Sequence, residues 1–318
     1  MIAVLPARSD VVGGDTVRAL VAAEIRRALR SPLLWAGLAG SLAIVWWFDS
    51  DGAFTDPGAY GEHYAAWEFP VGPLAFVAFL VANGAALRDR PPPAADLLAS
   101  TPARGWERTV GLLAGALVPT LMGLAVFGVQ DTAVLAHGTA VLGDGPWVST
   151  FEPALLELLG GPLAVACSWV AGIAVARLVR SRTVGAVLGF LGWALFSFDF
   201  YTFLYAPFGL FALSRSAVVA ADLGSDPSPA QLAAHQAVGR PGDLVPGYLG
   251  LDRDLPSYAL HLVFVVGVAS LLAALALARS GRDRRTRPVG AVGLALVLLG
   301  LGGQVLTLDT DLGWLDPL

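Results

Sequence analysis

The chain has 318 residues, of which 56% are hydrophobic and 14% charged, with a formal net charge of -5 at pH 7. The charged share lies far below the roughly 25% of an average soluble domain, and the mean hydropathy is +0.67, so an ordinary soluble fold is excluded. The net charge by itself says little, because a membrane would divide the charged loops into two separate sets.

The opening residues, MIAVLPARSD, lack the basic start and apolar core of a secretory signal, so targeting is expected to come from the first span. Residues 1–32 read as a cytoplasmic N-terminal segment. Within it, TVRALVAAEIRRALRSP reads as a helix with Asp15 as N-cap and Pro32 at the turn into the membrane. Val17, Leu20, Val21, Ile25, Ala28 and Leu29 share one half of its helical wheel, and Arg26, Arg27 and Arg30 lie on the other. Arg18 and Glu24 interrupt that pattern. Such a helix is expected to lie along the inner leaflet, held by its apolar face and by attraction to anionic lipid. The plainer alternative is a topology anchor.

A helix needs about 20 apolar residues to cross roughly 30 Å of hydrocarbon. Seven runs qualify: 33–48, 69–87, 110–129, 153–179, 183–205, 258–278 and the glycine-rich 288–306. Residues 33–206 thus hold five spans, 207–257 an extracytoplasmic loop, and 258–318 two more spans with a short acidic tail. The expected fold class is an all-α, polytopic membrane helical bundle of about seven spans, or six if the last run is not one. In the long loop, 207–224 is apolar enough to lie in the interface or re-enter, and the rest reads as surface loop with one short helix.

Arginine tests the span list independently, because it is retained on the cytoplasmic side. All 20 basic residues are arginines; 17 fall in alternate segments, leaving only Arg215, Arg240 and Arg253 opposite. The opposite loops are acidic, with Asp49, Asp51, Asp56, Glu62 and Glu68 in the first and Asp131, Asp144 and Glu152 in the second. The N-terminus is therefore expected inside, in a multi-pass protein of the plasma membrane.

The second arginine-rich loop, RDRPPPAADLLASTPARGWERTV, carries three prolines before a short helix, AADLLAST, and Pro102 after it. Proline fits a first helical turn but not an interior, so these residues bracket the helix. Asp96, Leu97 and Leu98 lie on it, and the two leucines suit docking into a groove of a cytoplasmic partner. Equally, the loop could pack on its own span ends.

Together with AEIRRALRSPLLWAGLA and DLLASTPARGWERTVGLLAGAL, this span pattern resembles actinobacterial permease subunits of type-2 ABC exporters. The resemblance is detailed over roughly the first 130 residues. It implies that 15–30 is an interfacial elbow helix and that 94–101, within the coupling-type loop 88–108, docks on a separate cytoplasmic ATPase. It also implies pairing with a second copy or a similar permease, and contact with membrane lipid. The family commonly has six spans with both ends inside, whereas seven are read here.

With no lysine, a GxxxxGK[ST] phosphate loop cannot be built, and HExxH and GxSxG are also missing. The four histidines have no metal-ligand spacing, and the single Cys167 permits no disulfide within the chain. No catalytic, cofactor, metal or nucleic-acid site is expected, and any ATP hydrolysis belongs to a partner. Glu157, Asp199 and His261 stand inside spans, where ionisable groups are expensive. They read either as a cation- or proton-responsive cluster at the outer mouth or as solvated helix ends. Small residues four apart, Gly111 and Gly115, Gly185 and Gly189, Ala36 and Gly40, read as helix-packing positions. Trp46, Trp47 and the aromatic run of 193–205 read as an outer interfacial belt. The leading expectation is an ABC exporter permease. Its rivals are a non-transporting scaffold or regulatory membrane protein, and an intramembrane enzyme using Glu157, Asp199 and His261 as acid and base.

Overall fold

A computed structural model describes residues 12–50, 69–88, 103–137, 140–142, 149–151, 154–179, 181–202, 218–222, 226, 228–230, 238–239, 248–253, 255–281 and 286–307. The protein is a polytopic membrane helical bundle. Among the described residues the helices are α1 (Val12–Leu29), α2 (Pro32–Ser50), α3 (Gly72–Leu87), α4 (Gly105–Ala114), α5 (Leu117–His137), α6 (Gly160–Leu178), α7 (Arg182–Thr202), α8 (Leu255–Ser280) and α9 (Thr286–Thr307). Single 3-10 turns, Phe69–Val71 and Glu157–Leu159, lead into α3 and α6. Among the described residues six stretches are long and apolar enough to cross a membrane: α2, α3, α4 with α5, α6, α8 and α9, each of the turns included. Helix α7 runs for 21 residues, and its stretch Arg182–Gly192 is a shorter apolar helix.

Short strands join the helices outside these stretches. β1 (Ala140–Leu142) and β2 (Ser149–Phe151) pair antiparallel, and β3 (Val218–Asp222), β4 (Val238–Gly239) and β5 (Tyr248–Arg253) form an antiparallel sheet in the order β3-β5-β4. Within the segment expected as a loop over 207–257, the described residues thus include three short strands, whose pairing satisfies N–H and C=O groups that an irregular chain would leave to water.

Chain direction brings the arginine-bearing helix ends together, as their alternation requires. Arg88 at the end of α3 meets Glu24 of α1, and Arg177 at the end of α6 donates to Thr109 of α4, whose Oγ1 lies 2.6 Å from Ser280 Oγ at the end of α8. At the opposite end, Tyr258 at the start of α8 donates to the carbonyl of Glu157 at 3.2 Å.

Helices in lipid gain little from further apolar burial, so close backbone approach has to hold them. Helix α3 is the central element, buried against α2, α6 and α7. A Cβ on Gly172 of α6 would drive into the Phe79 carbonyl oxygen, and one on Gly189 of α7 into the Phe79 ring. Gly185 abuts the Asn83 side chain, whose Nδ2 donates to the Gly172 carbonyl at 3.1 Å. The Gly185 and Gly189 pair therefore packs as the sequence suggests. The pair in α2 is corrected: Ala36 is exposed and a Cβ on Gly40 would have ordinary room. Buried Gly37 and Ser41 make the close face instead. Gly37 meets Val77, and Ser41 Oγ accepts from Leu74 N at 3.3 Å.

The glycines of the last run have the same cause. A Cβ on Gly300 would lie 2.5 Å from Phe264 N, and one on Gly293 2.9 Å from Leu271 N, so α9 rests on the backbone of α8. Its other side, including Val292, Leu298, Leu299 and Leu306, is exposed and faces lipid.

The third span is broken between α4 and α5. Pro119 has no N–H for the Gly115 carbonyl, and the turn tightens, with Gly115 N bonding Leu112 O at 3.1 Å and Ala116 N bonding Leu113 O at 3.0 Å. The Trp169 indole of α6 adds a second donor to the Leu112 carbonyl, Nε1 at 2.8 Å, while Gly115 keeps the space for its ring. Trp169→Phe keeps the aromatic bulk and removes the donor. It is expected to cost about 1–2 kcal/mol, seen as an earlier thermal unfolding midpoint in detergent. An unchanged midpoint would show that the bond contributes nothing.

Candidate functional site

The most organised polar structure lies at the arginine-rich end, around α1. Ser31 caps α2, accepting from Leu34 N at 3.4 Å, and Pro32 takes the first helical position. The Trp35 indole turns back to donate to the Leu29 carbonyl, 2.7 Å away, at the end of α1. Together these contacts fix the angle between α1 and the first span. Asp15 does not cap α1. The helix begins at Val12, so Asp15 is an exposed member of its first turn, where its charge still suits the helix dipole.

Part of the apolar side of α1 is taken up by protein, while Leu29 stays exposed. Leu20 packs where a Cβ on Gly111 of α4 would lie 3.1 Å from it, and Ala28 and Ile25 join the main core. Gly111 thus seats α1, while its partner in sequence, Gly115, seats Trp169. Arg26, Arg27 and Arg30 are exposed on the other side as expected. Arg26 Nε donates to the Ala22 carbonyl at 3.1 Å, and Arg27 pairs with Glu24.

Glu24 is the residue sequence reasoning undervalued. Its carboxylate is 12% exposed, bridges Arg27 of its own helix, and reaches Arg88 at 2.9 Å. Arg88 closes α3, and α4 begins at Gly105. The helix α1 therefore touches the helices on both sides of the segment that carries the predicted coupling helix: α3 at its end, through Glu24, and α4 at Gly111, through Leu20. Asp96, Leu97 and Leu98 themselves lie outside the described residues.

The exit point is itself held firmly. Buried Glu107 turns back to accept from Arg104 N at 2.7 Å, capping α4. Gly105 sits against the Ser280 carbonyl, and Thr109 joins Arg177 and Ser280 in one hydrogen-bonded group. Displacement of residues 103–109 would thus be felt directly by α6 and α8, and by α1 through Gly111 further along α4.

At the opposite end, Glu157 and His261 are buried, at 3% and 1% exposure, so neither is a solvated helix end. Glu157 Oε2 accepts from Ala154 N at 2.7 Å, closing the turn before α6. Asp131 lies within α5, inside the third span and not in a loop, and interacts electrostatically with Glu157. His261 Nδ1 lies 3.1 Å from Gln304 Oε1 of α9. Since Gln304 Nε2 donates to the Gly300 carbonyl, the facing atom is its oxygen, and Nδ1 of His261 carries the hydrogen. Tyr258, one turn before His261, links α8 to the Glu157 backbone. The two candidates are thus tied to one helix but serve different junctions. The backbone of Asp199 is helical, within α7; its side chain lies outside the described residues.

No group of three or more His, Cys, Asp or Glu side chains able to hold a metal ion occurs among the described residues. The chain matches no family model and no curated protein sequence.

Proposed function

We propose that the chain is the membrane-spanning permease subunit of an ABC exporter of the plasma membrane, working as a dimer with itself or a similar chain. A separate cytoplasmic ATPase drives it. The observation that carries this reading is that α1 contacts the helices on both sides of the segment between Arg88 and Gly105, Glu24 reaching Arg88 at the end of α3 and Leu20 packing on Gly111 of α4. A helix docked there by an ATPase would pull on α3 and α4 at once, and α1 would carry the displacement to the first span through Ser31 and Trp35. Energy would arrive mechanically, which suits a chain without a nucleotide-binding loop of its own.

Affinity purification of the tagged protein in mild detergent tests the reading. An ATP-hydrolysing subunit is expected to co-purify, and Leu97→Asp with Leu98→Asp is expected to abolish its association while membrane insertion persists. Retention of the ATPase by the double variant would remove the coupling role from this helix. Absence of any ATPase in several detergents and in nanodiscs would favour a scaffold that binds its partner without moving a substrate.

A further inference from the structure

A cleft of about 450 Å³ opens between α1, α3 and the start of α7 at the arginine-rich end, within the roughly 300–1,000 Å³ of small-ligand sites. Arg27, Arg88 and Arg182 line it, with Glu24 as the one carboxylate among its lining residues. Glu24 pairs with Arg27 and Arg88, yet those side chains are 61% and 41% exposed, and one carboxylate cannot engage all the N–H donors of two guanidinium groups. Arg182 is exposed at the first turn of α7. Three guanidinium groups against one carboxylate leave a positive excess in a recess, the arrangement that recognises phosphate oxygens by paired N–H donors.

The rest of the lining is of a different chemistry. Leu33, Leu80, Val81 and Ala186 form an apolar wall. Leu33, and Val187 next to Ala186, are among the exposed large apolar residues. The cleft thus has a cationic rim where the spans end and an apolar wall that descends with them. A free anion would use only the rim.

The geometry points to this cleft as a binding site for an anionic phospholipid, its phosphate held by Arg27, Arg88 and Arg182 and its acyl chains laid along Leu33 and Val81. Basic recesses between helix ends on the side where arginine is retained meet the leaflet richest in anionic lipid. The occupant would wedge α1 against α3 and α7. This site requires no ATPase and stands apart from the permease reading.

Lipid binding to the delipidated, detergent-solubilised protein, followed by native mass spectrometry, tests the site. The probes are phosphatidylglycerol, phosphatidylcholine of the same chains, and inorganic phosphate. Phosphatidylglycerol is expected to be retained most strongly, and Arg182→Gln to weaken it about tenfold, whereas Arg279→Gln, exposed at the end of α8 and outside the cleft, leaves it unchanged. Ala186→Phe fills the apolar side and is expected to weaken phosphatidylglycerol without touching a charge, so it decides the matter should Arg182→Gln fail to fold. Equal retention of the two lipids, or unchanged binding in Ala186→Phe, would overturn the proposal. Displacement of phosphatidylglycerol by equimolar inorganic phosphate would reassign the cleft to a free anion.

Discussion

Replacing Gly172 with alanine is expected to destabilise the bundle by about 2–3 kcal/mol, although the change adds one methyl group. The methyl would occupy the position of the Phe79 carbonyl oxygen, with Ala82 Cβ and Asn83 N each 3.1 Å away. The obstacle is backbone, which cannot rotate aside, so α3 and α6 must separate. Separation also lengthens the 3.1 Å bond from Asn83 to the Gly172 carbonyl, in a place where water offers no replacement. Gly84 and Gly128 supply internal controls, since a Cβ on either meets nothing within 4 Å. Their alanine variants are expected to be neutral or stabilised by up to about 1 kcal/mol through helix propensity. Thermal unfolding in one detergent ranks the three. Equal midpoints for Gly172→Ala and Gly84→Ala would remove the close α3–α6 crossing as a source of stability.

Glu24→Arg is expected to release α1 from the bundle, and Arg88→Glu in the same chain to restore it. The single change replaces the carboxylate between Arg27 and Arg88 by a third guanidinium. Arg88 is 41% exposed, so solvent screening limits the lost attraction to about 1 kcal/mol, and the new repulsion adds a comparable amount. The sum of about 2 kcal/mol corresponds to roughly thirtyfold faster amide exchange in α1. Added salt should shrink the difference, because the charges lie at the rim. In the doubly exchanged chain the carboxylate stands on α3 and both guanidinium groups on α1, so attraction between the two helices returns and slow exchange should return with it. No recovery would mean that α1 is seated by Leu20 and Ala28 alone.

Features that depend on local composition are legible in the sequence. Apolar run length gives the span at 69–87 to the residue, and arginine alternation places Arg88, Arg177 and Arg279 on one end. Features that depend on a distant partner are not. Glu24 looks like a flaw in an amphipathic pattern because its partner stands 64 positions away. Ala36 and Gly40 stand out in α2 while Gly37 does not, since spacing identifies a small-residue stripe but not which of several overlapping stripes meets the neighbouring helix. The run 110–129 reads as one unbroken span, and neither the break before Pro119 nor its partner Trp169, on another helix, is read from it. Charge alone would end that span before Asp131, whereas the helix continues to His137.

The α8–α9 hairpin bears on biogenesis. Among the described residues α9 packs principally on the helix made immediately before it, through glycine backbones that need no third element to complete the contact. The connection between them covers only 281–285 and is flanked by Arg279 and Arg287. A short basic connection resists translocation, so the two spans enter the bilayer together, and the pair can mature before it docks on α6. Helix α9 can thus reach its place on α8 without any other helix of the bundle being in position.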